Sequence, residues 1–280
     1  MKPNVAGKFV IGLDLGGTNV RAAVTDREGT MLSQPVEEKS MALSGFDVTV
    51  RQIVKAINRA MESAGVRKED VCGVGMGIPG QHKSKEGIVL WSPNFSDLAG
   101  KQLLEPIFRQ SGLPAWMGND VNVAALGEFH FGAGKDVNSM VMLTLGTGIG
   151  GGIILDGELW AGVTEGGGEI GHMIISAGGP IAPCGHSGCL EAMAGANAII
   201  SRAALKVQQG RKSLLSEMVD YDIGRITPAL IAEAAENGDD LSIETLQETG
   251  YWVGVGIASA VNLLNPEILP SDSTSTTYFL

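Results

Sequence analysis

Two stretches far apart in the chain follow one grammar, and that repetition constrains the fold more than any other feature. "FVIGLDLGGTNVRAAVTD" (9–26) reads as an apolar strand ending near Asp14, a glycine turn, and a second strand over 20–25. A turn at Asp26 to Gly29 then leads into a third strand. "MVMLTLGTGIGGGIILDGELW" (140–160) repeats the pattern: a strand at 140–145, a glycine loop at 146–152, and a strand at 153–155. Asp156-Gly157, a strong hairpin signal, turns the chain onward. Two β-meanders, each opening on a glycine loop, predict a duplicated α/β unit.

Helical periodicity fills the intervals. Val50, Ile53, Val54, Ile57, Met61 and Ala64 recur at helical spacing, with Gly65 placed as a stop. Thr227-Pro228 is an N-cap followed by proline at the first helical position, and Gly238 closes that helix. A last helix is expected from about Leu241 to Leu264. The break between halves is expected near 112–120, giving units of 1–118 and 119–267 and an atypical tail at 268–280.

The glycine loops invite a phosphate reading. Gly146, Gly148 and Gly151 satisfy G-x-G-x-x-G, but that motif works only where the loop opens a helix whose N-terminus meets a pyrophosphate. Here a β-hairpin follows, so a dinucleotide-binding fold is excluded on context. No Walker lysine follows either loop, which excludes a P-loop. What remains is a pair of hairpin turns whose backbone N–H groups can face an anion. Asp14 stands at the mouth of the first, where a carboxylate can hold Mg²⁺, and Thr18 and Thr147 offer hydroxyls. Glycine serving only as a tight-turn residue is the plainer alternative.

Asn119-Asp120 lies between a short strand and a helix beginning near Val121. Both residue types favour helix caps; a carboxylate there can also act as a general base. "TEGGGEIGH" (164–172) supplies Glu169 and His172, either for the hydroxyls of a polyol or as solvated loop charges. "GHMIISAGGPIAPCGHSGCLE" (171–191) holds two of the three cysteines, five residues apart. A metal knuckle, a redox pair and a chance of composition are all open; the x₄ spacing is not that of a C-x-x-C oxidoreductase. Cys72, in an apolar stretch, is expected in the core.

A net charge of −11, with no cluster of Lys and Arg, argues against nucleic acid as a partner. No apolar run reaches membrane-spanning length, and the first residues lack a signal-peptide pattern, so a cytoplasmic location is expected. Forty glycines among 280 residues, without a period, suit many tight turns in a globular chain.

Together these motifs resemble the ROK family of sugar kinases and repressors, over roughly residues 8 to 267. "LDLGGTN" is similar to its first phosphate loop, "GIPG" (77–80) and "SPN" (92–94) to its sugar loops, and "GND" (118–120) to its catalytic turn. The 171–191 stretch is similar to its G-H…C-x-C-G-x-x-G-C-x-E pattern. The resemblance implies duplicated ribonuclease-H-like (actin-like ATPase) domains with a cleft between them, and ATP-dependent phosphorylation of a hexose at its 6-hydroxyl. Asp120 would be the base and Asp14 would assist Mg²⁺. Gly16, Gly17, Thr18, Asn19, Gly146, Thr147 and Gly148 would line the nucleotide phosphates. Gly80, Asn94, Asn119, Glu169, His172 and Glu191 would hold the sugar. Glucose is the first expectation; N-acetylmannosamine, N-acetylglucosamine, fructose or allose, or sugar binding without kinase activity, are the alternatives. A homodimer or homotetramer is implied.

Two departures stand out. The family's structural Zn²⁺ would be held by His172, Cys184 and Cys189, but Ala182 occupies the remaining cysteine position; His186, within the knuckle, is a candidate substitute, and a weakly binding or empty, metal-free loop is the alternative. After "NPE" the family continues with a strand and a glycine turn at the adenosine, whereas this chain reads "ILPSDSTSTTYFL". A frameshift or truncation near Ile268 is therefore expected, and with it weak nucleotide binding.

Overall fold

The first meander forms three of the five strands in a twisted sheet, as its alternation demands. Residues 7–272 are described by the computed structural model of the chain. Strands β1 (Phe9–Leu15), β2 (Asn19–Asp26) and β3 (Val36–Lys39) run antiparallel. β4 (Val71–Ile78) adds parallel to β1, and β8 (Ala115–Asn119) parallel to β4, giving the order β3-β2-β1-β4-β8. Ile11, Leu13 and Leu15 of β1 are buried while Gly12 and Asp14 are exposed, the period of two that gives a strand one wet face.

Helix α1 (Phe46–Ala64) covers the buried face with Val50, Ile53 and Ile57, each fully inaccessible. Burial of that kind contributes about 2 kcal/mol per side chain. Gly65 ends the helix in the left-handed conformation (φ 64°), as the spacing predicts. A three-stranded sheet of β5 (Gln81–Lys83), β6 (Ile88–Trp91) and β7 (Lys101–Gln102), then α2 (Leu104–Ser111) and α3 (Asp120–Phe131), complete this unit.

The second meander builds the sheet β11-β10-β9-β12, from β9 (Met140–Leu145), β10 (Ile149–Leu155), β11 (Glu158–Leu159) and β12 (Ser271–Asp272). β9 and β10 are antiparallel and β12 joins β9 in parallel, the same meander-plus-parallel-strand order as in the first unit. Helices α4 (Leu190–Ala194), α5 (Ala196–Gln208), α6 (Leu214–Met218), α7 (Pro228–Glu236) and α8 (Asp240–Leu264) follow. Thr227 caps α7 by accepting from Leu230 N–H at 3.2 Å, as its sequence signature predicts.

Three expectations are corrected. Gly150, Gly151 and Gly152 belong to β10, not to a loop: their backbones pair with β9, and a side chain at Gly151 would meet Gly168 O and Ile170. Cys72 is half-buried, within 3.5 Å of the Arg27 guanidinium. The polar tail does supply a short strand, because β9 offers a free edge: its Val141 and Leu143 N–H groups donate to Ile268 and Pro270. Residues 273–280 lie outside the described range.

Contacts divide the chain differently from the expected break ahead of Asn119. One unit gathers the residues up to Asp136 together with Leu159–Gly167; the other holds Val137–Glu158 and the residues from Gly168 on. Helix α3 packs on β4 and β8, which keeps Asn119 and Asp120 with the first unit. The segment 159–167 is tied there by Glu165, whose carboxylate accepts the Ser84 N–H at 2.8 Å.

Helices α5 and α8 are laced by ions. Lys206 reaches Glu244 and Glu248 at 2.9 and 2.7 Å, and Arg202 reaches Glu248 at 3.0 Å. Bonds from Lys206 and Arg211 lower the Glu244 carboxyl from 4.5 to about 2. A carboxyl lowered on folding adds stability above its unfolded value and loses it as pH falls toward the folded one. Glu244→Gln should therefore flatten the fall in unfolding midpoint between pH 4.5 and 2, measured by urea unfolding across that window. No helix among the described residues is long and apolar enough to cross a membrane.

Candidate active site

Strand ends deliver the polar groups of the first unit. β1 and β4 are parallel, so Asp14 lies beside Gly77 near the C-terminal ends of both. β8 ends alongside, with Asn119 next to Ile78, and passes directly into α3. A side chain at Gly77 would press on Asp120 Cα at 3.3 Å, so the glycine leaves that carboxylate room.

The capping alternative resolves residue by residue. Asn119 is the cap: its Oδ1 accepts from Val121 N–H at 3.0 Å and Asn122 N–H at 3.2 Å. Its Nδ2 donates to Gly80 O at 3.3 Å, which fixes the side chain from the other side. Asp120 is the first helical residue and also accepts from Val121 N–H, at 3.0 Å. Partial burial raises the Asp120 carboxyl above the ordinary 3.8, against the pull of the Val121 and Asp120 N–H groups. Asp14 is raised too, by lost hydration first and by the Asp120 charge second, with Arg21 opposing. Its side chain remains exposed, so the crowding is local and not an enclosure. Two carboxyls each raised by lost hydration, with the Asp120 charge adding to the cost of ionising Asp14, mark a place suited to a cation or a proton.

The first glycine turn is held from beneath by Ser40, a buried residue nothing in its local sequence singles out. Its N–H donates to Thr18 O at 3.0 Å and its hydroxyl to Gly17 O at 2.7 Å. Gly16 N–H is used within the turn, on Asn19 O at 2.9 Å. The Gly17 and Thr18 N–H groups have no protein acceptor among the described residues, the condition of an anion nest. Asn94 packs close on Gly17, where a side chain would sit 2.8 Å from its carboxamide carbon. Asn19 is engaged by Lys39 Nζ at 3.1 Å.

In the second unit Gly146 N–H closes its turn on Gly148 O at 3.0 Å, and Thr147 and Gly148 keep unpaired N–H groups among the described residues. Glu191 accepts the Ile149 N–H at 3.0 Å and fills the space a Gly148 side chain would need. It thereby links the glycine turn to α4. A cavity of about 380 Å³ opens beside Thr147, lined also by Glu191, Asn197, Ser201, Arg202 and Leu205. Glu169 is exposed, with Oε2 3.8 Å from His172 Nε2.

The structure brings His172, Cys184 and Cys189 together, their ligand atoms all within 4.8 Å of one another. Imidazole and thiolates are donors zinc prefers. His172 Nδ1 is buried without a hydrogen-bond partner among the described residues, which fits an atom that coordinates. Cys189 Sγ accepts from Ala192 N–H at 3.4 Å at the start of α4.

The ROK family model matches residues 10–269. A glucokinase of Halalkalibacterium halodurans is 33% identical over 94% of this chain and 79% of its own length. A xylose repressor of Caldicellulosiruptor bescii is 30% identical over 93% of this chain and 64% of its own length. A crystal structure of a ROK family glucokinase from Streptomyces griseus, in complex with glucose and AMPPNP, superposes with a TM-score of 0.79. It is 31% identical, over 95% of this chain and 83% of that one.

Proposed function

The chain belongs to the ROK family, and from that premise we propose that it transfers the γ-phosphoryl group of ATP to the 6-hydroxyl of a hexose, glucose first. Its fold is the mixed α/β fold of actin-like ATPases, shared with the ROK glucokinase structure. The observation that carries the reading is Asp120: a carboxylate in the first turn of α3, relieved of sole capping duty by Asn119, beside Asp14 and raised toward the pH range where a base works.

Phosphoryl transfer asks a protein for positioning and charge stabilisation more than covalent help. In this reading Asp120 accepts the proton of the attacking hydroxyl. Asp14 offers an oxygen ligand to Mg²⁺, a hard cation that suits carboxylates, and Mg²⁺ would offset the negative charge of the phosphates. The Gly17, Thr18, Thr147 and Gly148 N–H groups donate to phosphate oxygens. The cavity beside Thr147 takes the nucleoside end, being of ligand size. Asn94, Asn119, Glu169 and His172 hold sugar hydroxyls. Glu191, already bonded to Ile149 N–H, contributes by holding the second glycine turn as well as by facing the sugar.

A coupled ADP-release assay over glucose, mannose, fructose, allose and the two N-acetyl sugars tests this. A ranking of kcat/KM with glucose first is expected, and sugar binding without ADP release would refute the kinase reading. Because Asp120 must be ionised to accept a proton, kcat/KM should fall on the acid side with an apparent pKa above 3.8. A pH–rate profile flat down to pH 4 would remove Asp120 as base.

A further inference from the structure

The knuckle holds one more potential ligand than the triad its sequence pattern leaves. Ala182 stands where the pattern has a cysteine, and it is buried with no donor atom in its side chain. Directly across a tight hairpin lies His186. Ala182 N–H donates to His186 O at 2.9 Å, Gly185 N–H closes the turn on Ala182 O at 2.9 Å, and Ile181 pairs antiparallel with Ser187. Residues directly opposite in an antiparallel pair project to the same side, their Cβ atoms about 5 Å apart. An imidazole spans that gap.

We propose that His186 completes a four-ligand zinc site with His172, Cys184 and Cys189, replacing the donor that Ala182 lacks. His186 Nδ1 lies 3.7 Å from Cys184 Sγ. Tetrahedral Zn–S and Zn–N bonds of about 2.3 and 2.0 Å place sulfur and nitrogen about 3.5 Å apart. The His186 and His172 rings stand edge to face with centroids 6.2 Å apart; His186 lies just outside the cluster of the other three, so a rotation of its side chain brings its nitrogen to their common centre on binding. His172 presents its buried, unpartnered Nδ1, while its Nε2 faces Glu169, the carboxylate–histidine arrangement that fixes a metal-bound imidazole. The result is a His₂Cys₂ set, closed as structural zinc sites are. It stands independently of whether the chain phosphorylates a sugar.

The test reads metal, not turnover. The full chain should bind one Zn²⁺ in competition with a chromophoric chelator, and Co²⁺ should give the absorption of a tetrahedral site with two thiolates. His186→Ala should weaken Zn²⁺ binding by more than about 100-fold, beyond what loss of a second-shell partner costs, and should alter the Co²⁺ bands. Adding Ala182→Cys to that variant should restore tight binding with a third thiolate band. The conservative variant His186→Cys, which keeps a donor at that position, should retain tight binding and gain that band, and so reads the site if His186→Ala folds poorly. Unchanged affinity and spectrum in His186→Ala, no zinc uptake by the unaltered chain, or no rescue by the added cysteine would each overturn the assignment.

Discussion

Replacing Asp120 with Asn should lower kcat by about 10²- to 10⁴-fold, the usual contribution of a positioned general base. Glucose affinity should change little, because the amide keeps the shape and the Asn119 cap is untouched. The same variant should be more stable at neutral pH. Burial raises the folded-state pKa above the unfolded 3.8, so the folded protein holds the proton more tightly. Stability then falls as pH rises through the interval between the two values, and stays reduced above it. Asn carries no such penalty, and its advantage should vanish below pH 3.8. Steady-state kinetics, isothermal titration with glucose and thermal unfolding at pH 7 and pH 3.5 check the three parts. Retained turnover would sink the assignment of Asp120; lost glucose binding would show it acts through the sugar's position instead. A gain in stability bought with lost activity is the trade expected where a site holds a disfavoured charge.

Gly188→Ala is expected to be the most damaging single-methyl change in the second unit. The residue has φ 69°, where a non-glycine residue costs about 1–2 kcal/mol. Its new methyl would also collide with the carbonyl oxygen of Ser176 and lie 2.8 Å from that residue's carbonyl carbon. Neither can retreat freely: Ser176 N–H donates to Gly188 O at 3.1 Å and Gly188 N–H to Pro180 O at 2.7 Å. With overpacking adding about 1–3 kcal/mol, a loss of about 3 kcal/mol or more should appear in urea unfolding. Because Cys189 follows directly, zinc affinity should fall in parallel. A loss under 1 kcal/mol would mean that this loop yields more readily than its hydrogen bonds indicate.

What could be read from the sequence was what local chemistry decides. Gly65 and Thr227-Pro228 mark helix ends because caps act on N–H and C=O groups within four residues. The placing of Asp14 before a glycine turn and of Asp120 at a strand-to-helix junction was legible because strand alternation and capping chemistry are local. What escaped is set by partners distant in the chain. Gly150 to Gly152 look like loop residues, yet β9 supplies their hydrogen bonds and close approach of Gly168 and Ile170 requires them small. Ser40 has no motif around it; only the pairing of Asn19 with Lys39 brings it under the glycine turn. The contact-based division falls later than the break expected ahead of Asn119 because α3 packs on β4 and β8, and that packing outweighs sequence adjacency to the second meander. His186 facing Ala182 depends on the register of one hairpin, which the three intervening residues leave undetermined in the sequence.

The stretch Leu159–Gly167, which joins the earlier residues after the chain has already begun the second sheet, sets an order on synthesis. A ribosome that has released only the first 136 residues has not yet made Glu165, so the Ser84 amide waits without its acceptor. The Ser84–Glu165 bond can form only after β9 and β10 have emerged. Gene fragments cut after Asp136 would for the same reason yield an N-terminal piece lacking those nine residues, and with them the acceptor of the Ser84 amide.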